Sequence, residues 1–260
     1  MSDWNTIAPN DYQLLLERLR ATAAEKSLKI STLGMLDDGS QIHLLESRPK
    51  SEAAPRILVA AGFHGEECGG VWGILHFLEQ TPAPRLESLH LSCIPVANPT
   101  GFSRGWRHNI WGESPNCGFC HRNIEEPGPS RDGRILIQNL NLLVHRAESG
   151  FLSLHEDDEQ SGFYLYTFEK TPAPGPFTHH LESILSQYFS PVQDGLYDGA
   201  SVKHGLAYRH CDGSFEDYLF HSGVVRTACT ETPATAKLST RVETNAALID
   251  AFVTFALTET

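Results

Sequence analysis

From Arg56 onward the chain alternates between short apolar runs and longer stretches with helical spacing, and this alternation restricts the fold more than any other feature. "RILVAAG" (56–62) is apolar without a break, as a strand is when both its faces are covered. "ECGGVWGILHFLEQ" then carries apolar residues at helical spacing, and "LHLSCIPVA" reads as the next strand. Further on, "RILIQNLNLLVHRAES" reads as a helix, "FLSLHE" as a strand, "HHLESILSQYF" as a helix, "VVRTACTE" as a strand and "RVETNAALIDAFVTFAL" as a closing helix. Such alternation predicts an α/β fold with a mostly parallel central sheet and helices on both faces, whose ligands sit beyond the carboxyl ends of the strands.

The first 50 residues have a different rhythm. Tyr12, Leu15, Leu16 and Leu19 predict an amphipathic helix over about 11–25, capped by Asn10 or Asp11. "LKISTLGMLDDGSQIHLLES" predicts two strands around an Asp38-Gly39 turn. Residues 1–50 are therefore expected to form a helix and β-hairpin packed on a main domain of residues 51–260, joined by the polar connector "SRPKSEAAP". Residues 98–134 are rich in Gly, Pro, Asn and Arg, yet carry too many Trp, Phe and Cys for a disordered segment, so they are expected to wall a binding site.

Charge narrows the partners. With 20 Lys and Arg against 32 Asp and Glu the formal net charge is −12, which repels phosphate backbones and anionic lipid, so neither nucleic acid nor membrane is an expected partner. No apolar run reaches the roughly 20 residues of a membrane span, and "MSDWNTIAPNDYQ" lacks the blocks of a signal peptide, so a cytoplasmic location is expected. In a reducing cytoplasm the six cysteines count as small buried hydrophobes rather than disulfides. The oligomeric state is left open.

Three predicted strands end in residues that bind metals or move protons. "ILVAAGFHGEE" ends in His64 and Glu67, "FLSLHE" in His155 and "VVRTACTETP" in Glu231. If a helix begins near Gly65, an HxxE places both side chains within reach of one ion. Two imidazoles and a carboxylate form a ligand set of the catalytic zinc kind, with a fourth position left for water. Gly62, Gly65, Gly69 and Gly70 bracket the HxxE and permit tight turns there. "CGFCHRN" (117–123) could instead attach a haem, form a redox pair or supply half of a zinc site. Haem attachment follows export, no second CxxC exists, and a redox pair would open a helix, so Cys117 and Cys120 read as loop packing.

In this order, "GFHGEE", "SLHEDDEQSGFYLY" and "TACTETP", with "PVANPTGF" between the first two, resemble the zinc carboxypeptidases from about residue 56 to the C-terminus. The resemblance implies a zinc carboxypeptidase-like catalytic domain, with a mixed sheet that binds Zn2+ through His64, Glu67 and His155. It also implies Glu231 as general base and then general acid. Arg107 would stabilise the tetrahedral oxyanion, with Arg104 as the competing residue. "CHRN" aligns with an Asn-Arg-Asn segment of that family, placing Arg122 and Asn123 on a substrate carboxylate and His121 where the family has its first asparagine. In "GSFEDYLFHSG", Phe220 falls where the family carries a tyrosine, and Tyr218 is the expected phenol. The resemblance implies a small peptide substrate of the murein type, or an acylated amino acid if the chain is instead a deacylase of the succinylglutamate desuccinylase or aspartoacylase type. An inactive binding module on the same fold is the third reading. The run Glu156 to Glu159 is either a solvated charge run or a partner for a substrate amine.

Overall fold

The computed structural model describes residues 4, 6–120 and 128–259. Helix α1 (Tyr12–Lys26) starts where the Asp11 carboxylate accepts the Leu14 N–H at 2.9 Å, and it buries Leu15, Leu19 and Ala23 along one face. The expected hairpin is β1 (Lys29–Met35) with β2 (Gln41–Glu46), turning at Gly39. Then come β3 (Arg56–Ala61), α2 (Cys68–Gln80), the single turn α3 (Ala83–Leu86), β4 (His90–Ile94) and the single turn α4 (Pro99–Phe102). After a long loop, α5 (Arg131–Gln138), α6 (Leu140–Arg146), β5 (Gly150–Asp157), β6 (Tyr164–Glu169) and α7 (Pro176–Tyr188) follow. The chain ends with β7 (Gly195–Tyr197), β8 (Ala200–Val202), β9 (Leu206–Tyr208), α8 (Phe215–His221), β10 (Arg226–Pro233) and α9 (Leu238–Thr258).

The central sheet runs β1-β2-β4-β3-β5-β10-β6-β9, and β7 pairs with β8 apart from it. Strands β4, β3, β5 and β10 form the parallel middle; β1 with β2, β2 with β4, and β10 with β6 are antiparallel. The sheet is thus mixed, with a parallel centre, as expected.

The unbroken apolar run of β3 has a direct structural cause. Ile57, Val59 and Ala61 enter a core beneath α1, α2, α7 and α9, while Leu58 and Ala60 enter a second core beneath α5, α6 and α8. β5 divides likewise, with Leu152 and Leu154 in the first core and Phe151 in the second. Trp72 of α2 is wholly buried, and its indole N–H donates to the Pro9 carbonyl at 2.7 Å, which ties the N-terminal segment to the first core. Arg18 adds an ion pair to Glu79 at 2.7 Å across the α1–α2 contact.

Two expectations change. The single helix expected from Arg134 breaks at Asn139, whose side-chain amide donates to the Leu33 and Ile135 carbonyls at 3.0 and 2.8 Å. The segment between Asp157 and Phe177, for which no element was expected, contains β6, wholly buried and aromatic. Among the described residues no helix is long and apolar enough to cross a membrane.

Candidate active site

The turn after β3 sets the first two ligand candidates. Gly62 adopts φ +64, which β-carbon-bearing residues rarely do, and Gly65 lies so close to Gly101 and Phe102 that any side chain there would meet their backbone. The helix begins at Cys68, three residues later than expected, so Glu67 is the residue before its first turn. Its carboxylate makes no capping hydrogen bond; it turns instead to two imidazoles. Oε1 lies 2.6 Å from His64 Nδ1, and Oε2 lies 2.8 Å from His155 Nδ1 but out of line for a hydrogen bond.

His155 arrives from β5, held by strand pairing on both sides and by Phe63, which stacks on its ring at 5.6 Å between centroids. The His64 and His155 rings stand 5.1 Å apart. One donor atom from each of His64, Glu67 and His155 lies within 4.8 Å of the others, and all three residues are buried. Two imidazole nitrogens and a carboxylate aimed at a common point, one oxygen misaligned for its neighbour, fit a shared divalent cation better than they fit one another.

The electrostatics agree with that fit. Burial opposes charge on Glu67, yet His64 and His155 hold its carboxyl below the usual range. Burial also opposes charge on His155, yet Glu67, with Glu231 and Glu216 behind it, raises the imidazole to about 9.

Glu231 stands beside this cluster because β10 lies next to β5, with Glu231 in register with His155. Burial, reinforced by Glu67, Asp157 and Asp198 against the opposing His155, raises its carboxyl well above the usual range. The Cys229 thiol approaches its Oε1 at 3.7 Å. Glu231, Glu67, Glu66, Arg107, Tyr164, Asp198 and the Glu156–Glu159 run share one cavity of about 340 Å³.

The two arginines separate in space. Arg107 Nη1 reaches Glu67 Oε1 at 3.3 Å and Glu66 Oε1 at 3.4 Å, inside the cavity. Arg104 lies over the Trp106 ring and donates to the Thr100 carbonyl at 3.2 Å, away from it. Tyr218 stacks on Phe119 and does not line the cavity. Tyr164 does: it pairs in register with Glu231, and its hydroxyl donates to Asp157 Oδ2 at 2.7 Å. The letters "GFYLY" offered this tyrosine, but without a strand assigned there its facing could not be read. His121, Arg122 and Asn123 lie outside the described residues.

The acidic run splits by role. Glu156 is buried, bonded to Arg241 at 2.6 Å and to the Gly69 N–H at 2.9 Å; burial, opposed by Arg241, raises it to about 7. Asp157 caps its own turn by accepting the Glu159 and Gln160 N–H groups. Asp158 and Glu159 are exposed at the rim. Glu216 was missed at the sequence level although Ser214 and Asp217 announce a capped helix there. It is buried, it is placed with a donor atom within 4.8 Å of His155, and Asn116 bridges the two at 3.4 Å from each. Cys117 and Cys120 are half-buried and flank the buried Phe119.

Known proteins supply the context for this geometry. No family model matches the chain, and no curated protein does. Among solved structures, a presumptive metallopeptidase from Shewanella amazonensis SB2B is 39% identical, covers 95% of this chain and 94% of its own, and gives a TM-score of 0.89. One from Shewanella denitrificans OS217 is 36% identical over 98% of this chain and 94% of its own, at 0.90. A metallo-carboxypeptidase from Burkholderia cenocepacia, 14% identical, superposes on 94% of this chain and 68% of its own at 0.67, a likeness of fold alone. With identities of 36 and 39% over nearly the full length of both, this chain belongs to the metallopeptidase family of those Shewanella proteins, built on the metallo-carboxypeptidase fold.

Proposed function

We propose that the protein is a zinc-dependent carboxypeptidase that cleaves a peptide or amide bond next to a free carboxylate, on small peptides of the murein type. The observation that carries this reading is the convergence of His64, Glu67 and His155 with Glu231 one strand away in register. Zinc held by the first three would polarise the scissile carbonyl and acidify water. The chain's own groups do the rest. Glu231 takes the proton of the attacking water and returns it to the leaving amine, which requires it to be ionised at the outset. Its raised affinity for protons suits the second half of that cycle, and positive charge at the neighbouring cluster would restore the first. Arg107 is placed to donate to the oxyanion as it develops. The carboxylates Asp158 and Glu159, which line the cavity together with Asp198, favour a substrate that also carries an ammonium group. A peptide with a free amine satisfies that; an acylated amino acid does not.

The test is a screen of murein fragments, dipeptides and N-acyl amino acids, with and without chelator. Chelator-sensitive release of a C-terminal residue is expected. Turnover confined to the acyl amino acids would make the protein a deacylase, and no turnover of any substrate would leave a binding module.

A further inference from the structure

A second cluster of candidate metal-binding side chains lies along α8 and the turn before it, and the proposed catalysis makes no use of it. Cys211, Asp217 and His221 each place a donor atom within 4.8 Å of the other two. They come from one short stretch, C-x5-D-x3-H. We propose that these three residues bind a second divalent ion of the zinc class, independent of the ion at His64, Glu67 and His155.

The local structure aims the donors. Asp217 and His221 are four apart on α8, so they share a face; His221 Nδ1 hydrogen-bonds the Asp217 backbone carbonyl at 2.9 Å and lies 2.8 Å from Asp217 Oδ1. The other oxygen of Asp217 accepts the Gly213 N–H at 2.9 Å, which orients the carboxylate from behind. Gly213, with φ +80, turns the chain between Cys211 and the start of α8, and the Cys211 donor atom lies within 4.8 Å of those of Asp217 and His221. Asp217 is wholly buried while the His221 side chain is 55% exposed, so the cluster has a fixed inner ligand and an outer face open to solvent for a fourth position. A thiolate and a carboxylate together balance a divalent charge, in a chain whose net charge of −12 favours cation uptake. The thiolate disfavours magnesium and calcium and selects zinc-like ions. Such an ion would clamp the Cys211–Gly213 turn to α8. Through the Phe119 N–H, which donates to the Gly213 carbonyl at 3.0 Å, it would also steady the loop bearing Asn116 beside His155.

Cobalt substitution separates the two sites, because only a thiolate ligand produces thiolate-to-cobalt charge-transfer absorption. Chelator-stripped full-length protein is titrated with Co2+ alone. Two equivalents are expected, one of them with that band. Cys211→Ser should lose the band and one equivalent. His64→Ala should lose the other equivalent and keep the band, so failure of the proposed catalytic site is distinguishable from failure of this one. Since Cys211→Ser could disturb folding, His221→Ala at an exposed position provides the second variant, with at least a tenfold weaker band-forming affinity expected. A single equivalent without the band overturns the proposal. So does a band that survives Cys211→Ser but disappears in Cys229→Ser, which would place the thiolate site at His155, Glu216 and Cys229.

Discussion

The cavity has two walls built on different principles. One wall is the ends of β3, β5 and β10, where His155 and Glu231 are side by side because their strands are paired residue for residue. The other is reached by Arg107 from the loop that follows Asn98, whose described residues hold together by side chains bonding backbone. Asn109 shows how that wall holds: its oxygen accepts the Trp111 and Glu113 N–H groups at 3.1 and 3.0 Å, and its amide donates to Glu113 and Asp132 at 2.9 and 2.7 Å. Groups on the strand wall are placed by many backbone bonds at once, so removing a side chain there should remove its chemistry and little else. Positions on the loop wall depend on a few polar side chains, so the same removal should be felt as stability and pH response.

The largest effect expected is on the strand wall. A His64→Ala, Glu67→Ala double variant should lose the ion bound there and all chelator-sensitive turnover, checked by metal analysis and by peptide assay. Retention of that ion would break the contrast outright. Next, Glu231→Gln should lower turnover by about 10²- to 10⁴-fold while metal content stays at the wild-type level. Loss of metal in that variant would show that Glu231 belongs with the ligands. Arg107 reaches from the loop wall into the strand wall, and Arg107→Ala should cost on the order of 10²-fold in turnover with the metal retained. An equal loss in Arg104→Ala would contradict the separation of the two arginines.

The smallest effect expected belongs to the loop wall and concerns pH. Burial raises the Asp132 carboxyl from 3.8 to about 6, with the Asn109 hydrogen bond opposing. A folded value above the unfolded one means the folded chain binds the proton more tightly, so this stabilisation is complete below pH 3.8 and is lost as pH rises through about 6. The full difference is on the order of 2–3 kcal/mol at neutral pH. Asp132→Asn should flatten that part of the profile, measured by urea unfolding between pH 4 and 7. An unchanged slope would show that the loop wall is as rigid as the strand wall.

Much of this was legible beforehand, for reasons that differ residue by residue. His64 and Glu67 are three apart on one turn, so their proximity is a local property, and the apolar runs of β3 and β5 reported burial on both faces directly. The acidic run could be read as charge but not as geometry: one carboxylate turned inward to Arg241, another capped its own turn, and two reached the rim. Tyr218 and Tyr164 were both present in the letters; choosing between them required knowing that the second lies on a strand beside Glu231.

By itself, the sequence determined the alternating α/β architecture, the hairpin and helix ahead of it, and the closeness of His64 to Glu67, because periodicity, turn residues and short spacings are properties of neighbouring residues. Only the tertiary structure decided that β10 inserts between β5 and β6, that Arg107 rather than Arg104 enters the cavity, and that Cys211 meets His221. Strand order and loop packing are settled by which distant surfaces bury together, and no local stretch of residues encodes that choice.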